Sequence, residues 1–192
     1  MGALTVIKLG GSHAFATHLR SWLDAIASRA GSIVLVPGGG PFADAVRDAQ
    51  PRIGFDDGAA HRMALLAMEQ FGCALASLNE RFALAESHAE IEAALAARRV
   101  PVWLPTRMAL AARDIPWSWD VTSDSLAAWL AEELGASAVI LVKHKSVCMS
   151  AKELASGGIV DPAFPQFVAR TGATVTVLGA EDHAHLGARE LA

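Results

Sequence analysis

Lys8 stands directly ahead of Gly10-Gly11-Ser12, three consecutive glycines, Gly38-Gly39-Gly40, follow the apolar run Ile33-Val34-Leu35-Val36-Pro37, and Asp124 lies in Thr122-Ser123-Asp124-Ser125. A second lysine, Lys143, follows another apolar run, residues 138–142. A strand that breaks on glycines and restarts as a helix leaves backbone N–H groups free at the helix start. Those donors, with the positive end of the helix dipole, suit an anion. Glycine serves there because a ligand can approach its bare backbone closely. A lysine at a strand end adds a compact point charge. The chemistry these residue types suit is the holding of phosphate: Lys8, Gly10, Gly11 and Ser12 in one turn, residues 38–40 in another, and Lys143 at a third strand end. Each feature also has a plainer reading. The glycines can make a tight turn, Lys8 can snorkel at a sheet edge, Ser12 can cap a helix, and Asp124 can be an acidic first-turn residue favoured by the dipole.

Positioning such residues requires strands that end where the glycines and lysines begin. Residues 4–9, 33–37, 73–78, 100–104, 138–142 and 174–178 read as short apolar strands, too short for helices. Residues 81–84 fit either a short strand or a loop. Helical spacing of apolar residues runs over 14–29, over the segment after Gly40 as far as Pro51, and over 59–71 as far as Gly72. It returns over 89–98, from Thr122 or Ser123 to about residue 134, and over 162–170. Residues 105–116 have room for one helical turn, 144–158 are polar and mixed, and the tail is weakly helical. Apolar strands alternating with helices predict a mostly parallel sheet covered on both faces. In such sheets ligands sit at the carboxyl ends of the strands, where Lys8, the two glycine turns and Lys143 fall together.

The 192 residues fit one domain, spanning 1–192, with 53% hydrophobic and 19% charged residues, a composition for a packed core. The formal net charge is −4 and no run of Lys or Arg forms a basic patch, so nucleic acid is not an expected partner. An anionic small molecule must then be held by local donors, against the global field. The two cysteines, Cys73 and Cys148, are far apart and outside any Cys-x-x-Cys, which argues against a zinc site or disulfide scaffold and for a reducing cytoplasm. No apolar run approaches the ~20 residues that span a bilayer, so no membrane partner is expected. Trp129 has the spacing of a core residue, whereas Trp117 and Trp119 precede a helix where they can line a pocket. His61, on a helix passing near the second glycine turn, is open to both readings, core or ligand.

Several motifs resemble the amino acid kinase family. Val6-Ile7-Lys8-Leu9-Gly10-Gly11-Ser12 looks like its opening, and Val36-Pro37-Gly38-Gly39-Gly40 like its glycine-rich acceptor loop. The run from Ser118-Trp119-Asp120 through Asp124 to Trp129, and that from Gly58-Ala59-Ala60-His61 to Met68, are similar to one subgroup, whose acceptor is a furan-bearing phosphomonoester of methanofuran-type cofactor synthesis. The resemblance implies an α/β fold, a three-layer αβα sandwich with a mostly parallel central sheet. It implies an ATP-dependent kinase using Mg²⁺, acting on a small molecule, and assembling as a homo-oligomer. Lys8, Asp124 and Lys143 become the catalytic residues, with Asp124 orienting the lysines. Lys8, Gly10, Gly11, Ser12 and Lys143 become the nucleotide-phosphate set. Gly38, Gly39, Gly40, His61, Trp119, Thr122 and Ser123 become the acceptor set. Lys143 is followed by His144-Lys145-Ser146-Val147, where many relatives carry an Asp-Gly-Val-Tyr-like nucleotide loop. A kinase for another carboxylate or phosphate metabolite, acetylglutamate- or uridylate-like, and a non-catalytic nucleotide or oxyanion binder are the alternatives.

Overall fold

The computed structural model describes residues 3–186. Among them, six strands form one sheet, β1 (Thr5–Leu9), β2 (Ile33–Pro37), β3 (Phe82–Ala85), β4 (Val100–Trp103), β5 (Ala138–Val142) and β6 (Thr174–Leu178). Their order across the sheet is β3-β4-β2-β1-β5-β6, with every neighbouring pair parallel. Between them run α1 (Leu19–Ser28), α2 (Gly40–Ile53), α3 (Asp57–Ala76), α4 (His88–Ala96), α5 (Thr106–Ala111), α6 (Ser123–Glu133), α7 (Ala151–Ser156) and α8 (Phe164–Val168).

Strand side chains alternate between faces, so each central strand feeds two cores. Val6, Val34, Val36, Val139 and Leu141 pack under α6 and α8, with Leu126, Trp129, Leu130, Phe164 and Phe167. Ile7, Leu9, Ile33 and Leu35 pack on the opposite face against Trp22, Leu23 and Ile26 of α1 and Phe71 and Leu75 of α3. The result is the three-layer αβα sandwich expected from the sequence. No helix among the described residues is long and apolar enough to cross a membrane.

The structure corrects several element readings. Residues 73–76 continue α3 instead of starting a strand. Leu75 lies four positions after Phe71 and seven after Met68, so the apolar stripe carries on and wins over the local alternation. Gly72 sits inside α3, where an added Cβ would come within 3.2 Å of Leu104 and Pro37; it permits close packing rather than ending the helix. The sheet slot expected for 73–78 goes to β3. Pro51 lies inside α2, which ends two residues later on Gly54 with φ +85°. Helix α1 begins only at Leu19; the stretch before it turns back so that His13 meets His18. Within the mixed stretch 144–158, Ser150 and Glu153 form a capping box that starts α7.

Candidate active site

Register and pleat bring the two lysines together. Lys8 pairs with Leu141 across β1 and β5, and Leu9 pairs with Val142. Lys8 shares its face with Val6, and Lys143 shares its face with Leu141, because side chains two apart point the same way. Val6 and Leu141 both belong to the core beneath α6. Both lysines therefore rise on the α6 side of the sheet, at its carboxyl edge, where α6 begins.

Asp124 meets them in the first turn of α6. Lys8 Nζ lies 2.9 Å from its Oδ1, and Lys143 Nζ donates to Oδ2 at 2.6 Å. Asp124 is 4% exposed and Lys8 5%. Burial alone would raise the carboxyl pKa, but the two ammonium groups outweigh it and hold Asp124 below its ordinary value. Lys143 is pulled below the usual lysine range, first by burial and then by Lys8, with Asp124 opposing. One carboxylate thus fixes two ammonium groups side by side, and both its oxygens are engaged.

A residue absent from the sequence reading holds α6 in place. The Asp161 carboxylate Oδ2 accepts from the Thr122 N–H at 3.0 Å, the Thr122 hydroxyl at 2.8 Å and the Ser125 N–H at 3.1 Å. The Ser125 hydroxyl donates to Oδ1. Thr122 is the N-cap of α6 by position, but its side chain makes no cap bond. Asp161, from the turn before α8, supplies the cap in its stead. Nothing local announced it, because Asp161 and Ser125 are 36 residues apart.

The two glycine turns lie back to back. A Cβ on Gly11 would overlap the Gly40 amide nitrogen and Cα, and one on Gly38 would overlap the Gly11 nitrogen. Gly38 donates its N–H to Leu9 at 2.9 Å and lies behind the cleft wall. Gly39 is an ordinary helical residue at φ −78°, and its missing side chain makes room for Ala43. Gly40 alone of the three has the positive φ, +55°, that favours glycine. Part of the glycine requirement is therefore the fit of two loops to each other.

In front of these turns opens a cleft of about 240 Å³. Gly11, Ser12, Gly39, Gly40, Thr122 and Ser123 line its inner end, with Leu65, Met68, Val121 and Leu126 as apolar walls. His61 lies in the wall, 6% exposed, with Nε2 buried and unpartnered, and burial lowers its pKa so that the ring is neutral at pH 7. Its ring stacks on Trp117, 6.2 Å between centroids. Trp119 donates to Gln50 at 2.7 Å and carries the Arg47 guanidinium 4.5 Å above its ring. Arg47 and Asp44, also at the mouth, escaped the sequence reading. The available signal was spacing: Arg47 lies seven residues after Gly40, two turns along the same face of α2. Gly10 faces the other way, towards His13 and Val142.

A larger groove, about 670 Å³, runs between residues 146–149 and β6. Val147 forms an antiparallel bridge with Val177 there, and Cys148, Met149 and Asp182 also line it.

The three-layer parallel fold is the one that the resemblance to the amino acid kinase family implies, and known kinases are similar to this chain in sequence and in fold. No family model matches the sequence. Over 138 residues, 71% of this chain, it is 25% identical to the [5-(aminomethyl)furan-3-yl]methyl phosphate kinase of Methanocaldococcus jannaschii, and the match spans 63% of that relative's length. The fold superposes on uridylate kinase from Archaeoglobus fulgidus with a TM-score of 0.73, at 19% identity, covering 96% of this chain and 94% of that one. It superposes on UMP kinase from Ureaplasma parvum with a TM-score of 0.69, at 16% identity over 93% and 90%.

Proposed function

We propose that this chain is an ATP-dependent phosphotransferase that moves the γ-phosphoryl group onto a compact phosphomonoester, with an (aminomethylfuranyl)methyl phosphate as the acceptor. The observation that carries the reading is the triad: two ammonium groups locked on one ionised carboxylate at the carboxyl edge of the sheet. Phosphoryl transfer needs positioning and neutralisation of charge on the moving group more than covalent help from the protein. Lys8 and Lys143 supply the charge, Asp124 fixes their spacing, and the Gly10–Ser12 turn offers backbone donors to the donor phosphates.

The same triad has no free base. Asp124 spends both oxygens on lysines, so an acceptor hydroxyl would find no carboxylate there to take its proton. A phosphomonoester oxygen is ionised already and can attack the γ-phosphorus directly. A P–O–P bond forms, the bond to the β-phosphate bridging oxygen breaks, and ADP leaves with the electron pair. The small cleft supports the same acceptor. Pockets for drug-sized ligands run at roughly 300–1,000 Å³, and this one, about 240 Å³, suits a single ring bearing a phosphate better than a nucleoside monophosphate. The Gly39–Gly40 turn and Ser123 at its inner end suit the acceptor phosphate, and its apolar walls and aromatic rim suit a flat ring.

No group of His, Cys, Asp or Glu among the described residues is arranged to hold a metal ion. The residues do not form a protein cage for Mg²⁺; such an ion would arrive on the nucleotide's own oxygens, as is usual for Mg²⁺. Assembly as a homo-oligomer and a cytoplasmic, single-domain setting complete the reading.

Purified protein incubated with ATP, Mg²⁺ and the furan phosphate should give ADP and a furan diphosphate, seen by ³¹P NMR as a new pair of coupled resonances. Uridylate serves as the competing acceptor. Faster turnover of uridylate would reassign the acceptor. Absence of turnover with either, alongside tight nucleotide binding, would favour the non-catalytic alternative.

A further inference from the structure

Beside the triad lies a second titratable cluster that the transfer step leaves unused. His13, His18 and His144 come from three different stretches, the turn after β1, the residue before α1 and the residue after Lys143. His13 is fully buried. Its Nδ1 lies 2.7 Å from Nε2 of His18, and its ring centroid lies 5.0 Å from that of His18 and 5.4 Å from that of His144. The ring forms the underside of the first glycine turn: a Cβ on Gly10 would come within 3.2 Å of His13 Cδ2. Any anion held by the Gly10–Ser12 amides is therefore next to the cluster.

Charged and polar groups face His13 from several elements. Lys8 faces it from β1, His18 from the start of α1, and His144 from the segment after β5, while the Val142 carbonyl lies against it. Glu181 Oε1 lies 3.8 Å from the second nitrogen of His18. Burial first, then His18, His144 and Lys8, lower the His13 pKa to about 4. His13 is therefore neutral at pH 7. A polyphosphate on the adjacent turn brings more negative charge than Lys8 brings positive, and reverses that balance. The added proton then belongs to the coupled trio, not to one ring.

We propose that His13, His18 and His144 form a proton-accepting subsite for the phosphate chain of the donor nucleotide, which draws a proton from solvent when the polyphosphate binds. This rests on the kinase reading. It deepens that reading by making donor affinity pH-dependent: tightest in mild acid and weaker as pH rises through about 6 to 8, the range where imidazoles exchange protons.

The test is calorimetry of a non-hydrolysable ATP analogue binding at pH 7 in two buffers of different ionisation enthalpy, which counts protons taken up. Wild type should take up close to one proton more than the His144→Asn variant, by the linkage of binding to protonation. The same variant should show a flatter dependence of affinity on pH. His144 is exposed, so His144→Asn is expected to fold, and circular dichroism checks that; His13→Gln is the second, buried variant. Equal proton counts in wild type and a folded His144→Asn protein would overturn the proposal while leaving the kinase reading intact. No nucleotide binding at any pH would overturn both.

Discussion

Asp124 holds two buried ammonium groups with one carboxylate, and that arrangement makes its substitution distinctive. Removing one partner from a buried ion pair typically costs about 3–5 kcal/mol, because the remaining charge is left uncompensated. Asp124→Asn should therefore be destabilised as well as inactive, whereas Lys8→Ala leaves Lys143 still paired at 2.6 Å and should fold. Lys8→Ala should lower kcat by ~10²–10³, the usual loss when a single transition-state stabiliser is removed, with kcat/KM falling in step. Steady-state kinetics on the folded variant checks this, and near-normal turnover would remove Lys8 from the chemistry. The pH dependence of stability has a definite sign. Asp124 has a folded pKa below its unfolded value of ~3.9, so its contribution is present above that value and is lost as pH falls through the folded pKa. Denaturant melts taken from pH 7 down to strong acid should show this acid-side loss in wild type. Asp124→Asn should lack it.

Helix α6 carries Asp124, and its start depends on a carboxylate contributed from the loop before α8. Asp161→Asn keeps the volume but weakens four hydrogen bonds at once. Loss of a helix cap costs ~0.5–2 kcal/mol. The variant should be destabilised by about that much, and kcat should fall because Asp124 and its lysines lose their fixed spacing. An unchanged kcat in the melted-and-refolded variant would confine Asp161 to a structural role. Legibility in the sequence follows the same division between local and distant causes. The strand ends at Leu9, Pro37 and Val142 and the start of α6 at Ser123 were readable, since each depends on a short run and its punctuation. The course of α3 through Gly72 was not, because Leu104, Val102 and Pro37 set it from elsewhere in the chain. The glycine turns were readable as glycine-requiring, yet which glycine needs the positive φ is decided by how two loops dock. Lys8, Asp124 and Lys143 could be named individually; their 2.6–2.9 Å geometry is a product of strand register.

At the scale of the molecule, two cavities open on different elements. The cleft belongs to α2, α3 and the start of α6, and the groove belongs to β6 and residues 146–149. An in-line transfer brings donor and acceptor to the phosphoryl group from opposite sides, so each cavity should take one substrate. The two cysteines, both exposed, report on this division. Cys148 lines the groove, whereas Cys73 lies near the end of α3, three turns beyond the His61 that faces the cleft. With the donor in the groove, a saturating ATP analogue should slow alkylation of Cys148 by iodoacetamide several-fold and leave Cys73 unchanged. The furan phosphate alone should protect neither thiol. Peptide mass spectrometry over a time course measures both rates in one sample, so Cys73 corrects for any global change in accessibility. Protection of Cys148 by the furan phosphate and not by the nucleotide would reverse the two cavities. Trp119 fluorescence would then be the signal expected to answer to ATP, since that ring stands at the mouth of the other one.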